Sequence, residues 1–281
     1  MRRITLLFVL LLAIPTSAWA GKAFDTDATS GNELLGYLDH GSWDFRYDAA
    51  REIKRRCIME ANDALAALAE NDPNAKVRSA AITALDHCGM DATIVTAEAM
   101  SLVDSEPSHR RKAIAIIEKK GTARSAPVLS QVLKGDPDVE TQRKAAVVLR
   151  HKAWTGAEPV QEEAAFASQD RDIRLNAIWA LLRIDRARYT ALFHERMRTE
   201  SDDKARLDLV KVLEKEPTAA DRDALVQMLD DGYAHVARHA ARALVKLGDR
   251  SVAEVLRSKS MDVKDRKVAE EFAEAASLLG G

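Results

Sequence analysis

The chain has 281 residues, of which 47% are hydrophobic and 31% charged, and its 42 basic and 44 acidic residues leave a formal net charge of −2. Such a balance lacks the electrostatic footprint of a nucleic-acid binder and is not that of a disordered acidic tail. With 12 Gly, 7 Pro and no alternating apolar pattern of any length, the sequence predicts an all-helical chain.

In chain order, Arg2 and Arg3 precede an apolar run from Ile4 to Ile14, Pro15 breaks it, and Ala18, Trp19 and Ala20 resemble a signal-peptidase site. Residues 1–20 are therefore expected to be a cleaved secretory leader, because the run is too short for a membrane span of about 20 apolar residues. No Cys follows the expected cut before Gly21 to carry a lipid anchor. The expected location is periplasmic or secreted, with no membrane span in the mature chain. Loss of the two arginines shifts the formal net charge to −4. Residues 21–41 read as a capping segment, in which Leu34, Leu35 and Leu38 of a short helix over Asn32 to Asp39 cover the first repeat.

Residues 42–281 repeat. Ile53, Leu85, Ile117, Leu149, Leu181, Leu213 and Leu244 recur at steps of 32 residues, the last being 31. Four residues earlier stand Ala49, Ala81, Ala113, Ala145, Ala177 and Ala240, with Leu209 in the remaining copy. Seven residues before the aliphatic column stand Arg46, Arg78, Arg110, Arg174 and Arg206, with Gln142 and Ala237 as departures. Phe272 and Ala276 occupy the Ala and aliphatic columns of a degenerate eighth copy, as expected of a unit that closes a stack. Within a copy, Val77, Ala81, Ala84 and Leu85 mark the buried stripe of a first helix. Gly89, Gly121, Pro217 and Gly248 stop that helix. Thr218 with Asp221 resembles a capping box that opens a second helix, whose apolar face is Leu225, Met228 and Leu229. Acidic turns such as 71–74, 104–107, 135–138 and 200–203 separate the copies.

The segment Asp72, Pro73, Val77, Arg78, Ala81, Ala84, Leu85, Gly89 resembles a HEAT repeat, particularly the short variety found in bilin lyases. The resemblance covers roughly Trp43 to Gly280 and implies an α-solenoid, a right-handed superhelix of seven to eight antiparallel helix pairs with a concave face. In that family the Asp of the turn and the Arg of the first helix form a ladder between repeats. The matching spacing occurs at Asp72 with Arg78 and at Asp104 with Arg110, whereas Asp136 faces Gln142 and Ser168 precedes Arg174, so the ladder is expected to break mid-stack. The family's second helices line the concave face. By that resemblance Arg124, Gln131, Glu158, Glu162, Glu195, Arg198, Asp223, Gln227, Glu254 and Arg257 are candidates for partner contact, and their mixed charge suits a folded protein.

Cys57 and Cys88 fall at nearly the same place in adjacent copies, and an oxidising compartment leaves two readings open. They form a disulfide, or they are buried thiols acting as small apolar residues. The family also includes an iron-binding deoxyhypusine hydroxylase with repeated His-Glu pairs, but this chain has one such pair, His194 with Glu195. His235 and His239 share a helix face at metal-ligand spacing without a third ligand visible in sequence. No nucleophile elbow, Walker loop or dinucleotide turn occurs. Neither a catalytic residue nor a metal or cofactor is assigned.

Arg55, His87, Lys119, His151, Arg183, Lys215 and Lys246 stand two residues past the aliphatic column. They either complement the negative ends of the first helices or form a basic ridge for an acidic partner. Trp43 and Trp154 are candidate surface anchors, while Trp179 falls inside a buried helical pattern and is expected in the core. The reading that results is a non-enzymatic exported scaffold or adaptor that binds another envelope or secreted protein, with no nucleic acid. The alternatives are a metal-dependent enzyme or cofactor binder of the same class, and a structural subunit of an envelope assembly.

Overall fold

The computed structural model describes residues 29–280, so the leader expected over residues 1–20 lies outside the described residues. Among the described residues there are sixteen α-helices, a few short 3-10 turns and no strand. Two compact units divide at Thr93.

The first unit contains α1 (Gly31–Tyr37), α2 (Trp43–Arg56), α3 (Asn62–Asn71) and α4 (Ala75–Cys88). A capping box starts α1: the Ser30 hydroxyl accepts from the Glu33 amide, and the Glu33 carboxylate accepts from the Ser30 amide at 2.7 Å. Leu34 and Leu38 of this segment are buried and Leu35 is half-buried. Asn74 caps α4 by accepting from the Lys76 amide at 2.9 Å. At the other end Gly89 adopts a φ of +68°, which a residue without Cβ tolerates, and the Met90 amide reaches back to the Leu85 carbonyl at 3.1 Å. Helices α2 and α4 pack side by side, with α3 against α4.

Helix α5 (Thr93–Val103) begins at the division. The second unit continues through α6 (Pro107–Lys120), α7 (Ala126–Gly135), α8 (Val139–Lys152), α9 (Glu158–Ala167), α10 (Arg171–Ile184) and α11 (Arg186–Thr199). It closes with α12 (Asp203–Lys215), α13 (Arg222–Met228), α14 (Ala234–Leu247), α15 (Ala253–Asp262) and α16 (Arg266–Gly280). Even-numbered helices are the first helices of the sequence repeat and pack in series, α6 on α8, α8 on α10, α10 on α12, α12 on α14 and α14 on α16. Odd-numbered helices form the other layer, and from α7 to α15 each is seated against the even-numbered helix next in sequence. Asp138, Asp170 and Asp202 each cap a first helix through a backbone amide three residues on, at 2.8 to 3.0 Å, which explains the acidic turns.

The repeat columns are the core. All seven residues from Ile53 to Leu244 and all seven of the Ala column are buried to within 1% of fully. Phe272 and Ala276 of α16 are buried in the same way. Glycine at 121 answers to space rather than dihedral angle, since its φ is −67° and a Cβ there would lie 2.5 Å from the Ile117 carbonyl oxygen. This is an all-α chain, an α-solenoid of antiparallel helix pairs. No helix among the described residues is long and apolar enough to cross a membrane.

Candidate functional site

Of the ten residues expected to contact a partner, nine lie within α7, α9, α11, α13 and α15, and Arg124 lies in the 3-10 turn that leads into α7. Seven are exposed, while Glu158, Glu162 and Glu195 are half-buried. Several neutralise one another or a neighbour along the same segment: Glu195 with Arg198, Glu254 with Arg257, and Asp223 with Arg222. This layer therefore presents local pairs of both signs rather than a field of one sign, which favours neither a polyanion nor a polycation.

Beneath this surface runs the ladder, whose side-chain partner differs from the one the spacing suggested. Arg110 does not grip the carboxylate of its own turn. Its Nη1 donates to the Asp104 carbonyl at 2.8 Å, while Nε and Nη2 donate to Asp136, 26 residues on, at 2.6 and 2.7 Å. Arg174 repeats the arrangement with the Ser168 carbonyl and Glu200, and Arg206 with the Glu200 carbonyl and Asp231. In the first unit Arg46 grips Asp72 in the same way, and Arg78 donates to the Asp72 carbonyl. Each turn carboxylate also accepts the amide two residues ahead, as Asp136 does from Asp138 and Glu200 from Asp202. A guanidinium has the forked donors to hold a carbonyl and a carboxylate at once.

The break falls between Gln142 and Ser168, neither of which can form an ion pair. Gln142 keeps the main-chain half of the arrangement, donating to the Asp136 carbonyl at 2.7 Å. The charged half moves over, by one residue to Arg143 and by two to Asp170, which meet at 2.9 Å. Glu200 is the most enclosed of the ladder's acids: burial opposes its ionisation, but Arg174, Arg196 and the Asp202 amide hold it at about 2.

The two cysteines have Cα atoms 5.3 Å apart and are joined as a disulfide in the first unit. Cys57 ends α2 in the left-handed region, with φ of +50°, the role that Gly89 plays for α4. The seven basic residues from Arg55 to Lys246 all lie exposed in the last turns of first helices. Two of them reach the helix end beside them: Arg183 donates to the His151 carbonyl at 3.5 Å, and Lys246 to the Lys215 carbonyl. His151 lies beside Glu118 at 3.0 Å. These contacts favour the helix-end role for the column.

The histidines are spread out and engaged. His239 faces Glu214 and His235 lies against Tyr233, with ring centroids 5.2 Å apart. His194 sits 2.8 Å from Asp221 rather than joining Glu195. Asp221 is buried at the start of the second helix, where it also accepts from the Thr218 amide and hydroxyl in the expected capping box and from Arg186 at 3.1 Å. Burial alone would raise its pKa, yet His194, Thr218 and Arg186 hold it at about 2. The same slot three repeats earlier joins Glu98 to the buried Ser125 at 2.6 Å. The offset of 27 residues is identical, so the His194 to Asp221 contact is a variant of a structural position. Among the described residues no three His, Cys, Asp or Glu side chains gather to hold a metal ion.

Trp179 packs against the core, as expected, but is not enclosed by it. It is half-buried and lines an open groove among α8, α10 and α12, with the Arg150 guanidinium 5.9 Å from its ring centroid. Its position lies two residues before the aliphatic column, where Ala115 and Lys211 in other copies are exposed and half-buried, so the ring emerges from the helix interface. Trp43 is 40% exposed under Lys76, and Trp154 is half-buried beside Lys152.

A family model for HEAT repeats matches residues 32–116 and 126–214. The chain belongs to the HEAT-repeat family. No curated protein matches it. Among solved structures, YibA of Escherichia coli is 20% identical over 90% of this chain and 93% of its own, with a TM-score of 0.50. A complex of CpcE and CpcF, the phycocyanin lyase of a Nostoc species, is 16% identical over 93% of this chain and 97% of the other, with a TM-score of 0.42. Human deoxyhypusine hydroxylase in complex with glycerol is 13% identical over 81% of this chain and 98% of the other, with a TM-score of 0.38. At these identities the likeness concerns the HEAT-repeat fold and not an activity.

Proposed function

We propose that this HEAT-repeat chain is an exported, non-enzymatic scaffold that binds another envelope or secreted protein through the exposed residues of its second helices. The supporting observation is a contrast within the repeat. Buried columns and ladder arginines recur with the period, whereas exposed second-helix positions change in type and sign from copy to copy, as at Lys134, Phe166, Arg198 and Asp230, or at Arg124, Gly156, Arg188 and Ala220. Residues that escape the repeat at exposed sites are free to be chosen for a partner, and repeat stacks offer an extended surface for one. The histidines considered as ligands are engaged by Asp221, Glu214 and Tyr233, in keeping with a scaffold role. Export rests on the leader pattern of residues 1–20 and suits the Cys57 to Cys88 disulfide, which persists in an oxidising compartment.

The test is capture from envelope extract with the leaderless chain as bait, beside a variant carrying Arg198→Glu, Asp223→Lys and Arg257→Glu. A specific protein retained by the parent and lost by the folded variant is expected. Retention of the same proteins by both would remove the second helices from the reading.

A further inference from the structure

The groove among α8, α10 and α12 carries groups that neither the repeat nor the second-helix surface uses. It is open, with a volume of about 310 Å³, and its walls come from three successive first helices, so it crosses the stack instead of following one helix. Trp179, between Leu175 and Val212, supplies an apolar wall, with the Arg150 guanidinium over its ring.

Cations outnumber acids in the groove, three to two, and one of the two acids is paired. Asp208 is held by Arg171, and Asp172 lies 4.0 Å from Arg143. Lys211 and Lys215, by contrast, have no carboxylate partner among the described residues. Together with Arg150 they leave cations beside an aromatic face. The second observation is Asn176, which lines the same groove and is 7% exposed. Its Nδ2 donates to the Asp172 carbonyl at 2.7 Å, but its Oδ1 has no hydrogen-bond partner. A buried carbonyl oxygen without a donor is costly, and a small turn of the side-chain amide would present it to a donor in the groove.

We infer that this groove binds an extended acidic peptide segment. Its carboxylates meet Lys211, Lys215 and Arg150, an apolar side chain rests on Trp179, and a main-chain N–H satisfies Asn176. A simple inorganic anion would use the cations but neither Trp179 nor Asn176. A nucleic-acid backbone is charged at every step, whereas a peptide can set its carboxylates at Lys211, Lys215 and Arg150 and pass Asp172 and Asp208 with uncharged residues. The site lies on the first helices and is independent of the proposed second-helix surface.

The experiment is fluorescence anisotropy of the leaderless chain with a labelled, end-blocked peptide of alternating Glu and Leu, and with its Lys and Leu counterpart. Saturable binding of the acidic peptide alone is expected, weakening as salt rises. Lys211→Ala with Lys215→Ala should weaken it about tenfold, as should Trp179→Ala, while Trp179→Phe retains most of it. Arg266→Ala with Glu270→Ala, an exposed pair on α16, should leave it unchanged. Circular dichroism and the denaturation midpoint establish that each variant is folded. Absence of saturable binding, equal binding of the basic peptide, or indifference to the double lysine variant would overturn the inference. Displacement by equimolar inorganic phosphate would overturn it too, by reducing the groove to a plain anion site.

Discussion

Arg174 donates to both carboxylate oxygens of Glu200 at 2.9 Å, across 26 residues of sequence, while its third nitrogen holds the Ser168 carbonyl. The carboxylate is fully enclosed and the guanidinium nearly so. Removing Arg174 leaves the enclosed carboxylate with Arg196 as its one cation beside the Asp202 amide, in a dry environment where ion pairs matter most. Arg174→Ala should therefore lower the stability of the folded chain by about 3 kcal/mol. Urea denaturation followed by circular dichroism measures it, and a loss no larger than that of an exposed pair such as Lys134 with Glu163 would show that water reaches the joint.

The gap at Gln142 and Ser168 offers the reciprocal experiment. Gln142→Arg with Ser168→Asp should restore the missing grip, with a coupling energy of about 1 kcal/mol in a double-mutant cycle. Coupling near zero would mean that Arg143 and Asp170 already meet every need of that joint.

Glu200 and Asp221 are both held at about 2 in the folded chain, below the ordinary carboxylate values of about 4. Protons then bind the unfolded chain more readily. The stabilisation is complete above about pH 5 and is lost as the pH falls through 4 towards 2, by on the order of 2 kcal/mol per group. Melting temperatures between pH 7 and 3 should fall accordingly, and Glu200→Gln or Asp221→Asn should start lower and show a shallower fall. A variant whose curve runs parallel to the parent's would exclude that carboxylate as a source.

Reduction of the Cys57 to Cys88 disulfide opens a loop of 31 residues. In the chain-entropy account this costs about 3.5 kcal/mol. Denaturant curves with and without reductant should differ by that order, and the difference should vanish in a variant with both cysteines changed to alanine.

Gly121→Ala and Gly89→Ala separate two reasons for glycine. At Gly121 an added Cβ meets the rigid Ile117 backbone at 2.5 Å, while at Gly89 it meets open space but a φ of +68°. The first should cost about 2 to 3 kcal/mol and the second about 1. Thermal denaturation orders them, and the reverse order would show that the turn after α6 yields easily.

The fold was legible because burial repeats. Ile53 to Leu244, the Ala column, the Thr218 to Asp221 capping box and the closing role of Phe272 and Ala276 each follow from a fixed spacing that only a stack satisfies. The ladder partner was harder. Asp104 lies six residues before Arg110 and Asp136 lies 26 after it, and sequence alone does not say which carboxylate the fork reaches. The pairing of His194 with Asp221 was hidden for a related reason, since the two residues sit in different copies and the parallel with Glu98 and Ser125 shares position but no residue type. The open side of Trp179 was missed through its hydrophobicity, although Ala115 and Lys211 at the same column already marked that position as one open to water.

In the second unit every ladder arginine reaches forward, Arg110 to Asp136, Arg174 to Glu200 and Arg206 to Asp231. The stack is therefore vectorial, and its two ends are not equivalent under trimming. A cut between Arg196 and Glu200 leaves an N-terminal fragment with two orphaned guanidinium groups, which no ordinary pH can neutralise. The complementary C-terminal fragment keeps an orphaned carboxylate, which mild acid can neutralise. During synthesis the same asymmetry means that each cation emerges before the anion it is to hold. Nascent repeats thus wait for their successors with the donor already in place.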